Sequence, residues 1–412
     1  MSSPILDPSA CSDSSIRSGV SRRNFMRLAA ATSALASMPI FTESRLAFAQ
    51  RPHFADPNKG IHIDANENPL GPSEKARQAM LDIIPKGGRY EFPMQMELAE
   101  VFAKQEGLDP ESVMPYAGSS EPLHYTVLAF TSPGKPLVIA DPGYEAPMWA
   151  AKVSQAPVLK VPLMDPKGAA NHDVKAMVAA SATPGVIYIC NPNNPTGTVT
   201  SPEDIEYVVA NAPKGTIVMI DEAYIHLSDA PSSLHFVKEG KDVVILRTFS
   251  KLYGMAGIRM GFAVARPDII KKLEPFGGMN SLPITAIAAA KASLIDTELV
   301  PTRKKLIGEI RAENLAWLKS EGYACTPSVS NCFMLDVKRP GGEVLAAMGK
   351  KEVYIGRIWP AWPTQVRITV GTRQEMAVFQ KTFKEVMASS TAGLKPEPLH
   401  LRLQATPFTH LS

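Results

Sequence analysis

Five short runs of this sequence carry side chains suited to covalent and acid–base chemistry, and they fall in one order along the chain. They are Gly118-Ser119-Ser120, then Asp141-Pro142-Gly143-Tyr144, then Asn191-Pro192-Asn193-Asn194-Pro195-Thr196-Gly197, then Asp221-Glu222-Ala223-Tyr224, and last Ser250-Lys251 with Arg259 eight residues on. Lys251 supplies an amine for a Schiff base and, once released, a base that can move a proton. Asp221 is the natural partner of a protonated ring nitrogen, and each unit by which it raises that nitrogen's pKa corresponds to about 1.4 kcal/mol. Asn194 and Tyr224 can donate to a phenolic oxygen, and Tyr144 can stack on a ring. Gly118, Ser119 and Ser120 open a helical pattern, where free N–H groups and the helix dipole favour a phosphate. Ser250, Arg259 and Thr248 complete its neutralisation. An amine, an acid beside a ring nitrogen and a phosphate cradle are together what pyridoxal phosphate requires. Each run alone has a plain reading as a strand end, a turn or a surface charge. The order and the joint fit carry the assignment.

The elements that must position these runs are legible as short apolar stretches bounded by Gly, Pro, Asn or Asp. Residues 113–116, 136–140, 186–190, 217–220, 243–248 and 260–265 read as buried strands, separated by helices such as 122–130 and 202–212. This alternation predicts an α/β fold with a mostly parallel sheet sandwiched by helices. Each chemical run then lies just beyond a strand's carboxyl end, where ligands bind in open α/β sheets. We read residues 50–90 as an N-terminal arm that also joins the small domain, with one helix at 73–84. Residues 91–295 form the large cofactor-binding domain. Residues 296–388 form a smaller α/β domain with a long helix at 297–321, strands at 332–337, 353–356 and 366–370, and a last helix at 374–387. Residues 389–412 are a loosely ordered tail.

The first 49 residues read differently. Arg22 and Arg23 precede a short Ala-rich apolar stretch, and Leu46-Ala47-Phe48-Ala49 has the small-x-small pattern of a signal-peptidase site. Paired arginines match the twin-arginine signal, so export machinery of that route and a periplasmic location are expected for residues 50 onward. Composition has an ordinary globular balance: 45% hydrophobic residues suffice for a core, while 43 basic against 40 acidic residues give no field suited to nucleic acid. No apolar run reaches the roughly 20 residues of a membrane span, so an integral membrane protein is excluded. Phosphate-loop, dinucleotide and zinc-protease motifs are absent, and the eight His lack ligand spacing, so no metal is expected. Cys325 and Cys332 are close enough in sequence to face one another over a turn, although buried thiols are the commoner reading.

These runs, with Asn66-Glu67-Asn68-Pro69-Leu70-Gly71-Pro72 and Arg367-Ile368-Thr369-Val370-Gly371-Thr372, resemble the class I/II aminotransferases of fold type I. The likeness spans about residues 61–387 and is greatest to the histidinol-phosphate aminotransferase branch. The resemblance implies Lys251 as the Schiff-base lysine, Asp221 as the pyridine partner, Asn194 and Tyr224 as phenolate donors and Tyr144 as the stacking ring. It implies Arg367, and with it Asn66, at the substrate, Arg367 gripping a carboxylate or the corresponding end of an amino alcohol. Tyr90 aligns with a tyrosine that reaches the phosphate of a neighbouring subunit, which implies a homodimer with shared sites. Arg357 is the candidate for a second, phosphate-reading arginine. It is followed here by Ile358-Trp359-Pro360-Ala361-Trp362-Pro363, a loop not associated with that role, whose two Trp either pack in the core or line an apolar pocket. Together with export, this favours an α-amino acid, large and aromatic ones included, as donor and a 2-oxo acid as acceptor in a ping-pong transfer. A decarboxylase, lyase or oxidase on the same cofactor is the rival reading. A non-catalytic cofactor-binding regulator is a remote one, because fewer than 45 residues separate Ala49 from Tyr90.

Overall fold

The computed structural model describes residues 40–51, 59–165, 168–277 and 281–389. The paired arginines and the tail from residue 390 lie outside them. Strands β2 (Val113–Tyr116), β3 (Leu137–Asp141), β4 (Val158–Pro162), β5 (Val186–Cys190), β6 (Ile217–Asp221), β7 (Val243–Thr248) and β8 (Gly261–Val264) form one seven-stranded sheet in the order β2-β8-β7-β6-β5-β3-β4, after β1 (Ile61–Ile63) in the chain. All neighbours pair in parallel except β8, which is antiparallel to both β2 and β7. Every residue of β5, β6 and β7 is buried. Continuous apolar runs such as Val-Ile-Tyr-Ile-Cys are what a sheet covered on both faces demands.

The edge strand β4 has no counterpart among the expected strands. Its sequence, Val-Leu-Lys-Val-Pro, exposes Lys160 and Pro162. A charge and a proline are tolerated at an edge, and they break the apolar pattern by which the interior strands are recognised.

The helices begin where their caps dictate. Ser201 accepts from the Asp204 N–H ahead of Pro202–Asn211, and Thr372 with Glu375 forms a capping box ahead of Arg373–Ala388. The 22-residue helix Leu299–Ser320 accommodates Pro301 in its first turn, where the missing N–H has no intrahelical partner to lose. Beyond it β9 (Cys332–Asp336) pairs antiparallel with β11 (Gln365–Thr369). Between them in sequence β10 (Val353–Ile355) pairs in parallel with β1, so the N-terminal arm is hydrogen-bonded into the C-terminal part of the fold. Cys190, Cys325 and Cys332 are free thiols, so the bridge across residues 325–332 does not form. Among the described residues no helix is long and apolar enough to cross a membrane, and no His, Cys, Asp or Glu cluster is arranged to hold a metal.

Candidate active site

The carboxyl ends of β2, β3, β5, β6 and β7 open into a cavity of about 340 Å³ lined by Ser119, Ser120, Tyr144, Asn194, Asp221, Tyr224, Thr248, Ser250, Lys251 and Arg259. The sheet thus gathers ten expected residues from five separate runs. Gly118 lies at the same end: a Cβ there would fall 2.1 Å from Arg259 Nη2, and its φ is +84°. Both facts require glycine, because an L side chain would displace the guanidinium and strain the backbone.

Lys251 is buried, and among the described residues its Nζ has one hydrogen-bond partner, the Ala65 carbonyl at 3.4 Å. Burial lowers its pKa, partly offset by the Glu43 charge. Desolvation without a bonded carboxylate is what makes a lysine a nucleophile and a base. Asp221, the last residue of β6, accepts from the Tyr188 hydroxyl at 2.8 Å and from the Ala223 N–H at 3.1 Å. Burial raises its pKa to about 6 against the lowering effect of those two donors. A carboxylate in that state ionises fully once a cation is placed against it.

At the other end Arg259 adopts φ +68°, unusual for a residue with a side chain. Its Nη2 donates to Ala117 O at 3.0 Å and its Nη1 to Ala256 O at 2.9 Å, which aims the guanidinium at the first turn of Ser120–Phe130. No side chain caps that helix. Ser250 and Thr248 hydroxyls are 2.9 Å apart beside it. Uncapped N–H groups, hydroxyls and an arginine in one cup suit a phosphate. A phosphate cup, a buried amine and a buried carboxylate, set around one cavity, fit pyridoxal phosphate.

The residues expected at the substrate lie beside the cavity wall and come from both the N-terminal arm and the C-terminal region. Arg367, wholly buried on β11, donates from Nη1 to Asn194 Oδ1 at 2.9 Å and from Nη2 to Asp64 O at 2.5 Å and Glu43 Oε1 at 2.7 Å. Burial alone would lower its pKa; the Glu43 carboxylate reverses this and holds the charge firmly. Asn66 donates to the Tyr224 hydroxyl at 3.0 Å and is held by Thr369. Arg357 is 1% exposed and pairs through Nη2 with Glu145, while its Nε and Nη1 make no hydrogen bond among the described residues. Trp359 is core, not pocket wall. Its Nε1 donates to Gly143 O at 2.9 Å, and the guanidinium carbons of Arg357 and Arg367 lie 4.7 and 5.6 Å from its ring centroid. Tyr90 stands apart from the cavity and is 84% exposed.

Two residues at the site escape sequence reasoning. Tyr188 sits inside an apolar strand and reads as core; the usable signal is period two, which puts it on the same face as Cys190, a cavity-lining residue. Glu43 falls in the stretch read as a leader.

Comparison with known proteins agrees with this geometry. Residues 58–383 match the family described as aminotransferase class I and II. The histidinol-phosphate aminotransferase of Moorella thermoacetica is 34% identical over 80% of this chain and 86% of its own length. That of Bacillus subtilis strain 168 is 31% identical over 77% and 89%. The crystal structure of histidinol-phosphate aminotransferase from Sinorhizobium meliloti in complex with pyridoxal-5'-phosphate shares the fold, with a TM-score of 0.75 at 22% identity over 86% of this chain and 97% of that one.

Proposed function

The chain belongs to the aminotransferase class I and II family and is a pyridoxal-phosphate-dependent aminotransferase, and from that premise we propose that its donor is an α-amino acid and its acceptor a 2-oxo acid. The observation that carries the substrate class is Arg367: a buried guanidinium behind the cavity wall, bonded to the Glu43 carboxylate and the Asn194 amide oxygen, both of whose residues line the cavity. Its planar fork matches a carboxylate in a way that a lysine ammonium does not.

When bound, the cofactor supplies an electron sink for the bond broken at the substrate's Cα. The chain's own groups do the rest. Ser119, Ser120, Thr248, Ser250 and Arg259 would hold the phosphate. Asp221, oriented by Tyr188, would balance a protonated ring nitrogen. Tyr144, Asn194 and Tyr224 line the same cavity and would bind the ring and its phenolic oxygen. Lys251 would take up at Nζ the proton that leaves the donor's Cα and, in the acceptor half of the cycle, would deliver one from Nζ to the new Cα. Donor and acceptor each end in a carboxylate, so one arginine serves both halves of a ping-pong cycle.

A second reading, an amine bearing a phosphate, draws support from Arg357, whose Nε and Nη1 make no hydrogen bond among the described residues, and from the names of the relatives. The experiment that separates the readings compares each α-amino acid with the matching amine that lacks the carboxylate. In Arg367→Lys the preference for the amino acid, as a ratio of kcat/KM values, drops about 100-fold, the loss expected when a buried bidentate pair is broken. An unchanged ratio assigns Arg367 elsewhere.

We also propose that residues 1–49 are a twin-arginine leader and that the mature enzyme works in the periplasm, on the sequence grounds given above. A homodimer fits the exposure of Leu81, Ile84, Tyr90, Phe92 and Met96, large apolar or aromatic side chains that all fall within residues 81–96. In such a dimer Tyr90 serves the phosphate cup of the neighbouring subunit.

A further inference from the structure

Glu43 lies six residues before the expected cleavage point, yet its carboxylate is bound inside the site. Residues Glu43–Gln50 form a helix whose leading turn enters the cavity, so that Thr42, Glu43 and Ser44 line it together with Lys251 and Asp221. Glu43 is 8% exposed. Its Oε1 accepts from Arg367 Nη2 at 2.7 Å, its Oε2 accepts from Asn194 Nδ2 at 3.0 Å, and Arg357 Nε is 3.7 Å away. A guanidinium and an amide converging on one carboxylate are the donors a substrate carboxylate needs. Burial alone would raise the Glu43 pKa, but the charges of Arg357, Arg367 and Lys251 bring it down to about 2. The group is therefore ionised, as a substrate carboxylate is.

The segment is fastened independently of that carboxylate. Phe41 stacks on Trp149 with ring centroids 4.2 Å apart. The Phe41 N–H donates to His124 Nε2 at 3.1 Å, while His124 Nδ1 faces Ser120 O at 2.8 Å. Leu46 and Ala47 are buried. Gln50 exchanges two hydrogen bonds with the Ile358 backbone, at 3.2 and 2.9 Å. Arg51 forms a two-point pair with Asp64, at 2.5 and 2.9 Å.

We propose that residues 40–50 are an internal ligand of the substrate subsite, with Glu43 occupying on Arg367 the place of an incoming substrate's carboxylate, so that the full chain blocks its own site. A tethered group acts at an effective concentration on the order of millimolar, which rivals the KM values of roughly 1 μM to 1 mM at which enzymes work. Removal of residues 1–49 takes Glu43 away and frees the arginine, so the leader's end would keep the enzyme closed until it is processed. The inference rests on the reading of Arg367 as the carboxylate grip.

The test uses the full-length holoenzyme and its variants Glu43→Gln and Phe41→Ala. The first removes the charge that binds Arg367; the second loosens the segment and leaves both arginines untouched. Each is expected to lower the apparent KM for the amino donor about tenfold, the scale of one charge-assisted hydrogen bond lost to a competitor. An unchanged KM in both variants overturns the proposal, and so does a raised KM in Glu43→Gln, which would make Glu43 part of the working site. Failure of the underlying reading looks different: the preference for amino acid over amine would then survive Arg367→Lys, whatever Glu43→Gln does.

Discussion

Replacing Lys251 by Ala lowers kcat by at least about 10⁴-fold, the upper range for a positioned acid–base group, because this residue is also the nucleophile that holds the cofactor. The expectation follows from position. Lys251 comes three residues after the end of β7, where the parallel strands deliver their ends to the cavity, and its amine is buried with a carbonyl at 3.4 Å as its partner. Burial lowers its pKa, so a larger share of the amine is unprotonated at neutral pH than in an exposed lysine. Among the described residues no other lysine lines the cavity. Turnover is measured by coupled assay, and covalent attachment by mass after borohydride reduction. Alanine should remove both and leave far-ultraviolet circular dichroism unchanged, since Lys251 faces a cavity and anchors no strand. A variant within tenfold of the parent would make Lys251 a structural residue.

Asp221→Asn is expected to lower kcat by about 10²- to 10³-fold, the range for loss of one preorganised electrostatic partner. The Ala223 N–H keeps an acceptor in the amide oxygen, and the Tyr188 hydroxyl can turn to accept from the new Nδ2–H, so the main loss is charge. The pH dependence gives a second signature. With its pKa raised to about 6 by burial, Asp221 of the cofactor-free protein takes up a proton as pH falls through about 6. A neutral acid cannot balance a protonated ring nitrogen, so cofactor affinity weakens in that direction. Asparagine should lack this acid limb, as read by fluorescence titration with the cofactor. For the empty protein the sign reverses. An acid whose folded pKa is raised contributes stability that is fully present below its unperturbed value of 3.8 and is lost as pH rises through about 6.

Much of this site is legible in the sequence because its parts are local. Strands β2, β5 and β7 begin and end where the apolar runs do, since Gly, Pro and Asn bound them and both sheet faces are covered. The chemical runs follow those strands directly, so strand assignment alone places Asp221, Lys251 and Asn194 at one end of the sheet. Relations across the chain are less accessible. Arg367 meets Asn194 across 173 residues, and only the folded sheet brings them to 2.9 Å. Sequence leaves Trp359 open between core and pocket wall; its 2% exposure and its absence from the cavity lining settle it as core. Tyr188 is hidden by its apolar neighbours. Glu43 is hidden for a different reason: a cleavage-site pattern describes what a peptidase reads and says nothing of where the same residues dock while still attached.

The central claim is transfer of an amino group, and a single half-reaction tests it most directly. Purified holoenzyme carrying Glu43→Gln, mixed with an α-amino acid and no acceptor, should release one equivalent of the matching 2-oxo acid per active site and then stop. Addition of a second 2-oxo acid should restart it. Release of carbon dioxide or peroxide in place of that single equivalent, or continued turnover without acceptor, would contradict the claim and place the same residues in a decarboxylase or an oxidase.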